Sequence, residues 1–227
     1  MTIHIFQSII TFVTFVLLGA PYSEQPVEKC LVEKKYDEKV LKKQYLEFID
    51  SLNYLDVVVD YRKAVKDLLS DNTERQIAAV KTLSQTNQPN VIPWMVPFLD
   101  SNDIYLRLAA ANSIEQIVTW WALERRDMSH PEEVILKPQS SNELDMKPLA
   151  WLVLQMFRQP DDGNTHAYAA VMTRYLELTE FENELRDCLR SEHPGVKNAA
   201  QWALESLGFS ISEEETQTEQ SELEVED

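Results

Sequence analysis

Residues 103–117, DIYLRLAAANSIEQI, decide the fold of this chain. Residues 194–208, PGVKNAAQWALESLG, repeat the same order of residue types: an aliphatic residue, a basic residue, an alanine pair and an apolar closing run. The two copies lie 90 residues apart, and a weaker copy, RQIAAVKTL, lies 31 residues before the first. Because 90 is three periods of about 30 residues, the spacing predicts an array of stacked helical hairpins, a class that binds partners over a long surface.

Helical geometry gives the alanine pairs a packing role. At 100° per residue, the apolar residues of the last copy fall within about 80° of Val196: Ala200, Ala203, Leu204 and Leu207. The same offsets from Leu106 give Ala110, Ser113, Ile114 and Ile117. We therefore expect Ala110 and Ala200 to lie where neighbouring helices approach most closely. In the weak copy Arg75 stands in the aliphatic position, so the start of that helix is less well defined.

Glycine is scarce, because only four occur in 227 residues. Hairpins, barrels and nucleotide-binding loops all use glycine, so this scarcity favours helices joined by short turns. The hydrophobic content of 44% is ample for the core of one globular domain. The composition therefore predicts an all-α fold.

Turn and N-cap residues divide residues 54–208 into four predicted helical pairs. The pairs are 54–69 with 73–86, 89–99 with 103–125, 144–158 with 164–178, and 180–190 with 194–208. Pro97 predicts a kink or an early end within 89–99. Residues 127–143 have little periodicity and indicate an inserted loop. Residues 24–53 hold a linker and a helix that we expect to cap the open N-terminal end of the array.

The segment 91–117 resembles a HEAT repeat of the short, PBS-lyase-like kind. That family's unit has an apolar-proline helix ending in leucine, an Asp/Asn turn, and an aliphatic-Arg-x-x-Ala helix. These places are taken here by Ile92-Pro93, Leu99, Asp103, Leu106-Arg107 and Ala110, and in the last unit by Pro194, Val196-Lys197, Ala200 and Ala203-Leu204. The resemblance covers at most residues 54–208. It implies a short right-handed α-solenoid of HEAT-like, armadillo-type repeats that serves as a binding scaffold.

Residues 3–20 are almost wholly apolar and uncharged, and small or turn-forming residues follow them. This layout is typical of a secretory signal, although no basic residue precedes the apolar core and no A-x-A site follows it. A cleaved signal is the favoured interpretation, and it predicts an exported protein, periplasmic or secreted. An uncleaved membrane anchor stays open, because 18 helical residues span about 27 Å, near the thickness of a bilayer's hydrocarbon layer. A buried core helix is the third interpretation, and the lack of one-sided periodicity argues against it.

Cys30 and Cys188 are the two cysteines, and an exported protein could pair them. Cys188 shares a predicted helical stripe with Phe181, Leu185 and Leu189, which favours a buried thiol. The two cysteines also belong to opposite ends of the proposed array, whose layers stack about 8–10 Å apart. We therefore predict no disulfide, unless the N-terminal segment folds back over the array.

The net charge of −17 argues against nucleic acid as a partner, because phosphate binding requires clustered Lys and Arg. A nucleic-acid-binding array would need a basic concave surface, which an acidic body does not offer. Residues 213–227 hold eight acidic residues, no basic residue and no apolar pattern. We predict that residues 209–227 form a disordered acidic tail.

Sequence motifs for catalysis are missing, since the chain contains no G-x-S-x-G, G-x-x-x-x-G-K or G-x-G-x-x-G. Beyond residue 20 the histidines are His130, His166 and His193; they lack the spacing of metal ligands, and we expect them to be exposed turn residues. No catalytic, cofactor-binding or metal-binding residue is predicted. The alternative is a lyase-like enzyme that handles a small ligand or chromophore, which only the family resemblance suggests.

The tryptophans divide into two groups. Trp120 and Trp121 extend the apolar stripe of their helix and are expected in the core. Trp202 lies about 240° from Val196 on the wheel, so it either anchors a partner or shields the C-terminal end of the array.

We therefore predict a non-catalytic scaffold that binds another protein through its second helices and contacts no membrane unless residues 3–20 are an anchor. Lys81 also points away from the packing stripe. The predicted partner-binding residues are Asn112, Glu115, Asn198, Gln201, Trp202 and Glu205.

Overall fold

The computed structural model describes residues 35–124, 126–127, 135–136, 144–160 and 163–212. Apart from one two-residue ladder, the described fold is all-α, with ten α-helices packed together. In chain order they are α1 Glu38–Ser51, α2 Asp56–Asp60, α3 Arg62–Leu68, α4 Thr73–Ser84, α5 Ile92–Met95, α6 Ile104–Glu124, α7 Ala150–Phe157, α8 Thr165–Tyr175, α9 Glu182–Cys188 and α10 Pro194–Ser206.

A two-residue antiparallel ladder lies at the predicted inserted loop 127–143. It pairs β1, Arg126–Asp127, with β2, Ile135–Leu136. The rest of that loop, including His130, lies outside the described residues, as do the apolar segment 3–20, Cys30 and the acidic residues 213–227.

The first helices are shorter than the sequence pattern predicts. α5 ends at Met95, and Pro97 opens the 3₁₀ turn Val96–Asp100 that follows, so the predicted early end is confirmed. The predicted helix 54–69 is split into α2 and α3 at Tyr61, whose backbone (φ −120°, ψ 38°) leaves the helical region. No proline or glycine marks this second break.

Side-chain caps begin two of the second helices. At α4, Asn72 Oδ1 accepts a hydrogen bond from the N–H of Arg75 at 2.9 Å. At α6, Asp103 Oδ1 accepts from the N–H groups of Tyr105 and Leu106 at 2.9 and 3.0 Å. These bonds satisfy donors that the first helical turn leaves unpaired, as the turn and cap residues predicted.

The predicted buried stripe is confirmed in both strong copies. Its members are buried in α6 and α10, apart from Leu207, which lies just past α10 and is half-buried. One alanine in each second helix takes the same buried place: Ala79, Ala110, Ala169 and Ala200. A side chain with no atoms beyond Cβ lets the neighbouring helix approach closely.

The second helices contact one another in chain order. α4 packs on α6, α6 on α8, and α8 on α10, while α3, α7 and α9 pack on the second helices that follow them. Because α6 lies between α4 and α8, its buried surface is wider than the predicted stripe and includes Ala111 and Val118 beside it.

A polar side chain in the first turn of three second helices closes the preceding turn. Gln76 Nε2 donates to the carbonyl oxygen of Ser70 at 2.8 Å, and Arg107 Nη1 donates to that of Ser101 at 2.9 Å. In α8, His166 Nε2 lies 2.9 Å from the carbonyl oxygen of Gln159.

This recurrent contact identifies equivalent positions in the degenerate copies. Gln76 takes the place of Arg107, which leaves Arg75 in the aliphatic position, as the sequence predicted. His166 takes the same place in α8, where it is half-buried, so the expectation of an exposed turn residue is wrong for it. His193 is exposed in the turn before α10, as expected.

α1 does not take the capping position that the sequence predicted. It packs mainly on α7 and on the 3₁₀ turn Lys147–Leu149, in the third pair. Glu38 pairs with Arg158, and Lys42 Nζ lies 5.7 Å from the centre of the Trp151 ring. The apolar face of α1 (Leu41, Tyr45, Phe48 and Ile49) is buried in the main core, so the helix lies on the α7 side of the molecule.

The N-terminal end of the described chain reaches the last pair. Lys35 Nζ lies 2.5 Å from Glu182 Oε2, and the hydroxyl of Tyr36 donates to Glu184 at the start of α9. Residues 35–36 therefore fold back over the last pair, which is the exception that the prediction of no disulfide allowed. Cys188 is buried, as predicted. The absence of a disulfide stays a prediction, because Cys30 is outside the described residues.

Residues 209–212, which the sequence pattern assigned to the disordered tail, are folded. Phe209 and Ile211 pack against the core between α9 and α10, and Arg186 Nη2 donates to the carbonyl oxygen of Ser210 at 3.0 Å. Residues 209–212 therefore belong to the folded body, because their two apolar side chains have a surface to cover.

Candidate partner-binding surface

Four of the predicted partner-binding residues lie together on α10. Asn198, Gln201, Trp202 and Glu205 are exposed, on the side of the helix away from the buried stripe. Gln201 Nε2 donates to Glu205 Oε1 at 2.8 Å, one helical turn apart. The wheel assignment is therefore confirmed for this helix.

Trp202 is supported by two residues of α8. The guanidinium carbon of Arg174 lies 3.7 Å from the centre of the Trp202 ring, and the Tyr175 ring meets it edge-on with 5.9 Å between centres. Arg174 Nε also donates to Ser206 Oγ at 2.9 Å, so the guanidinium spans from α8 to α10. Trp202 keeps 39% of its surface exposed despite these contacts. We name Arg174, Tyr175, Trp202 and Ser206 the α8–α10 surface.

Asn112 and Glu115 are half-buried on α6, so the expectation that they face solvent is only partly right. The Thr119 hydroxyl donates to Glu115 Oε1 at 2.5 Å. Burial raises the pKa of the Glu115 carboxyl above its usual range, and the hydrogen bond from Thr119 opposes that shift. The flanking helices α4 and α8 crowd this face of α6, whereas α10 packs mainly on α8 and α9 among the described helices and exposes its other side.

Sequence reasoning missed Arg174, Tyr175 and Ser206. The repeat spacing does place Arg174 among the outward-facing positions. It lies nine residues after Thr165, just as Glu115 lies nine residues after Leu106 and Glu205 nine residues after Val196. The weak motif at the start of α8 concealed it, since Thr165 replaces an aliphatic residue there.

Trp120 is not a core residue, contrary to the sequence prediction. Its side chain is 46% exposed, whereas Trp121 packs partly buried against the main core. α6 has 21 residues and its neighbours α4 and α8 have 12 and 11, so the last turns of α6 extend past the helices that would cover Trp120.

A groove also lies on the side of the molecule formed by α1 and α7. It is an open groove of about 660 Å³ between α1, the turn before α7 and the turn after α8. Four carboxylates line it (Glu47, Asp145, Glu177 and Glu180), together with Lys147. Within the described ranges no three His, Cys, Asp or Glu side chains stand close enough to hold a metal ion.

Helix length and hydropathy determine whether a helix can span a membrane. Among the helices that the structure describes, none is both long and apolar enough to cross a bilayer. The apolar segment 3–20 lies outside these ranges.

Comparison of the chain with models of protein families, with curated proteins and with solved structures finds no match.

Proposed function

We propose that this protein is a short right-handed α-solenoid of HEAT-like repeats that binds another protein without catalysis. Three features support the solenoid: the chain-order packing of the second helices, the equivalent buried alanines, and the recurrent contact that closes the turn before α4, α6 and α8. The second helices form the contact face, because α1 covers part of the first-helix side.

The proposal depends most on Trp202, whose ring is both fixed in place and exposed. Its ring is held by Arg174 and Tyr175, yet 39% of its surface faces solvent. Tryptophan, tyrosine and arginine are the residues most enriched at binding hot spots, and a ring already fixed in place loses little freedom on association. The neighbouring Asn198, Gln201 and Glu205 supply a polar rim around this anchor.

We further propose that the protein acts outside the cytoplasm, on the strength of the uncharged apolar segment 3–20. Amino-terminal sequencing of the protein from its own host tests this. A mature chain beginning near residues 21–24 is the expected result, and an intact Met1 in membranes selects the anchor. An intact Met1 in the soluble cytosolic fraction contradicts the proposal.

A site-specific photo-crosslinking amino acid tests the contact face. Placed at Gln201, it should give a discrete adduct with one partner in the host, and Trp202→Ala should abolish that adduct. Placed at Lys39, exposed on α1, it should give none. Equal adducts from both positions, or an adduct at Gln201 that survives Trp202→Ala, would show that binding does not use the α8–α10 surface.

A further inference from the structure

The apolar core is divided in two. Most buried residues, from α1 to Phe181, form one cluster. A smaller cluster lies between α8, α9 and α10 and contains Ala170, Leu185, Cys188, Leu189, Val196, Ala200, Ala203 and Leu204. α8 contributes to both, since Ala169 belongs to the first cluster and Ala170 to the second. Phe181, at the start of the fourth pair (residues 179–206), belongs to the first cluster and meets the Phe157 ring of α7 edge-on, with 6.2 Å between ring centres. The rest of the fourth pair has a core of its own.

Small side chains line the seam between this pair and the rest of the array. α8 contributes Ala170 to the second cluster, and α10 contributes Ala200 and Ala203. Alanines allow close approach of two helices but remove little apolar surface from water, so the seam gains less from burial than a leucine-lined contact would.

Polar contacts hold the fourth pair at its edges. On the second-helix side, Arg174 joins Trp202 and Ser206 across the seam. On the first-helix side, Lys35 pairs with Glu182 and the Tyr36 hydroxyl donates to Glu184. We name residues 35–36 the strap.

The strap also contacts aromatic rings of the fourth pair and of the segment after it. The Tyr36 ring meets Phe181 edge-on, with 5.0 Å between ring centres, and Lys35 Nζ lies 5.8 Å from the centre of the Phe209 ring. Phe209 itself packs on the second cluster. The strap leads directly into α1, which Glu38 ties to Arg158 at the end of α7. It therefore links α9 to the body of the array from outside, without passing through the alanine seam.

We propose that the strap holds the fourth pair in place and thereby keeps the α8–α10 surface assembled. When the strap is released, the fourth pair moves about the seam and Trp202 separates from Arg174. The effect of the strap on partner binding rests on the proposed function. Its effect on the position of the fourth pair does not.

Amide hydrogen exchange of the full chain, without any partner, tests the strap. The double variant Lys35→Ala, Tyr36→Ala should raise exchange in α9 and α10 by about tenfold or more, and leave α4 and α6 unchanged. The matched control is Lys39→Ala, Lys43→Ala, which alters two exposed lysines of α1 and should change neither region.

A milder variant keeps the test decisive if the double variant folds poorly. Tyr36→Phe retains the ring against Phe181 and loses only the bond to Glu184, so a smaller increase confined to α9 and α10 is expected. Unchanged exchange in α9 and α10, or an equal increase in all helices, overturns the inference. Because no partner is present, either result leaves the proposed binding function standing.

Discussion

The imidazole of His193 lies directly against the backbone of Gly163. A β-carbon built on this glycine would stand 2.8 Å from the ring, closer than van der Waals contact allows. Gly163 also has φ +76°, a region that L side chains rarely adopt. The turn before α8 thus meets the turn before α10 at a point where only glycine fits.

Gly163→Ala should therefore destabilise the protein by about 2–4 kcal/mol, from backbone strain and from the displaced ring together. Gly208→Ala is the matched control, because Gly208 has φ +84° but nothing within 4 Å of its added β-carbon. It should cost only about 1–2 kcal/mol. Urea unfolding measures both. The double variant Gly163→Ala, His193→Ala should recover the excess, and equal costs for the two glycines would show that the turn contact contributes nothing.

Ala200 and Gln201 are adjacent in sequence and opposite in environment. Ala200 is fully buried at the α8–α10 seam, and Gln201 is exposed. Ala200→Asp should cost several kcal/mol, about 3 or more, because it buries an unpaired charge where a helix packs closely.

Gln201→Asp should cost at most about 0.5 kcal/mol, mainly through repulsion from Glu205 one turn away. Thermal or urea unfolding of the full chain compares the two variants. Equally mild effects would contradict the helical register that places Ala200 in the seam.

Glu115 should make stability depend on pH. Its folded-state pKa is raised by burial, so its charged form is less stable in the folded protein than in the unfolded chain. The folded state therefore binds more protons, and the free energy of unfolding falls as pH rises through the titration range of this carboxyl. Glu115→Gln keeps an acceptor for Thr119 and removes the charge.

The Glu115→Gln variant should be more stable than the wild type at pH 7, and its stability should fall less between about pH 4 and pH 7. Glu205→Gln removes an exposed carboxyl at the equivalent place in α10 and is the matched control. Chemical unfolding at several pH values provides the comparison. Parallel stability curves for Glu115→Gln and the wild type would contradict the assigned burial.

Local features of the fold could be predicted from the sequence because they depend on short-range chemistry. Asn72 and Asp103 cap the helices they precede, and Pro97 ends α5. The burial of Ala110 and Ala200 follows from helical periodicity alone.

Long-range features could not be predicted in this way. The contact between Lys35 and Glu182 depends on where α1 packs. The apolar face of α1 would suit α7 and the end of a helical array equally well, so the sequence alone does not distinguish the two positions. The exposure of Trp120 depends on the lengths of the neighbouring helices, which its own helix does not encode.

Only the α10 residues of the candidate site could be predicted from the sequence. These residues follow from the wheel, because within the described part of the chain one side of α10 is exposed. Arg174 and Tyr175 contact Trp202 only through the packing of α8 on α10, and α8 carries the weakest form of the motif.

Binding of the partner identified by crosslinking at Gln201 tests the central claim most directly. Its affinity should be measured for the wild type, for Trp202→Ala and for Arg190→Ala, an exposed residue outside the α8–α10 surface. Loss of an aromatic hot spot costs about 2 kcal/mol or more, so Trp202→Ala should weaken binding by at least about thirtyfold. Arg190→Ala should leave it unchanged. Wild-type affinity in a folded Trp202→Ala variant would contradict the assignment of this surface as the binding site.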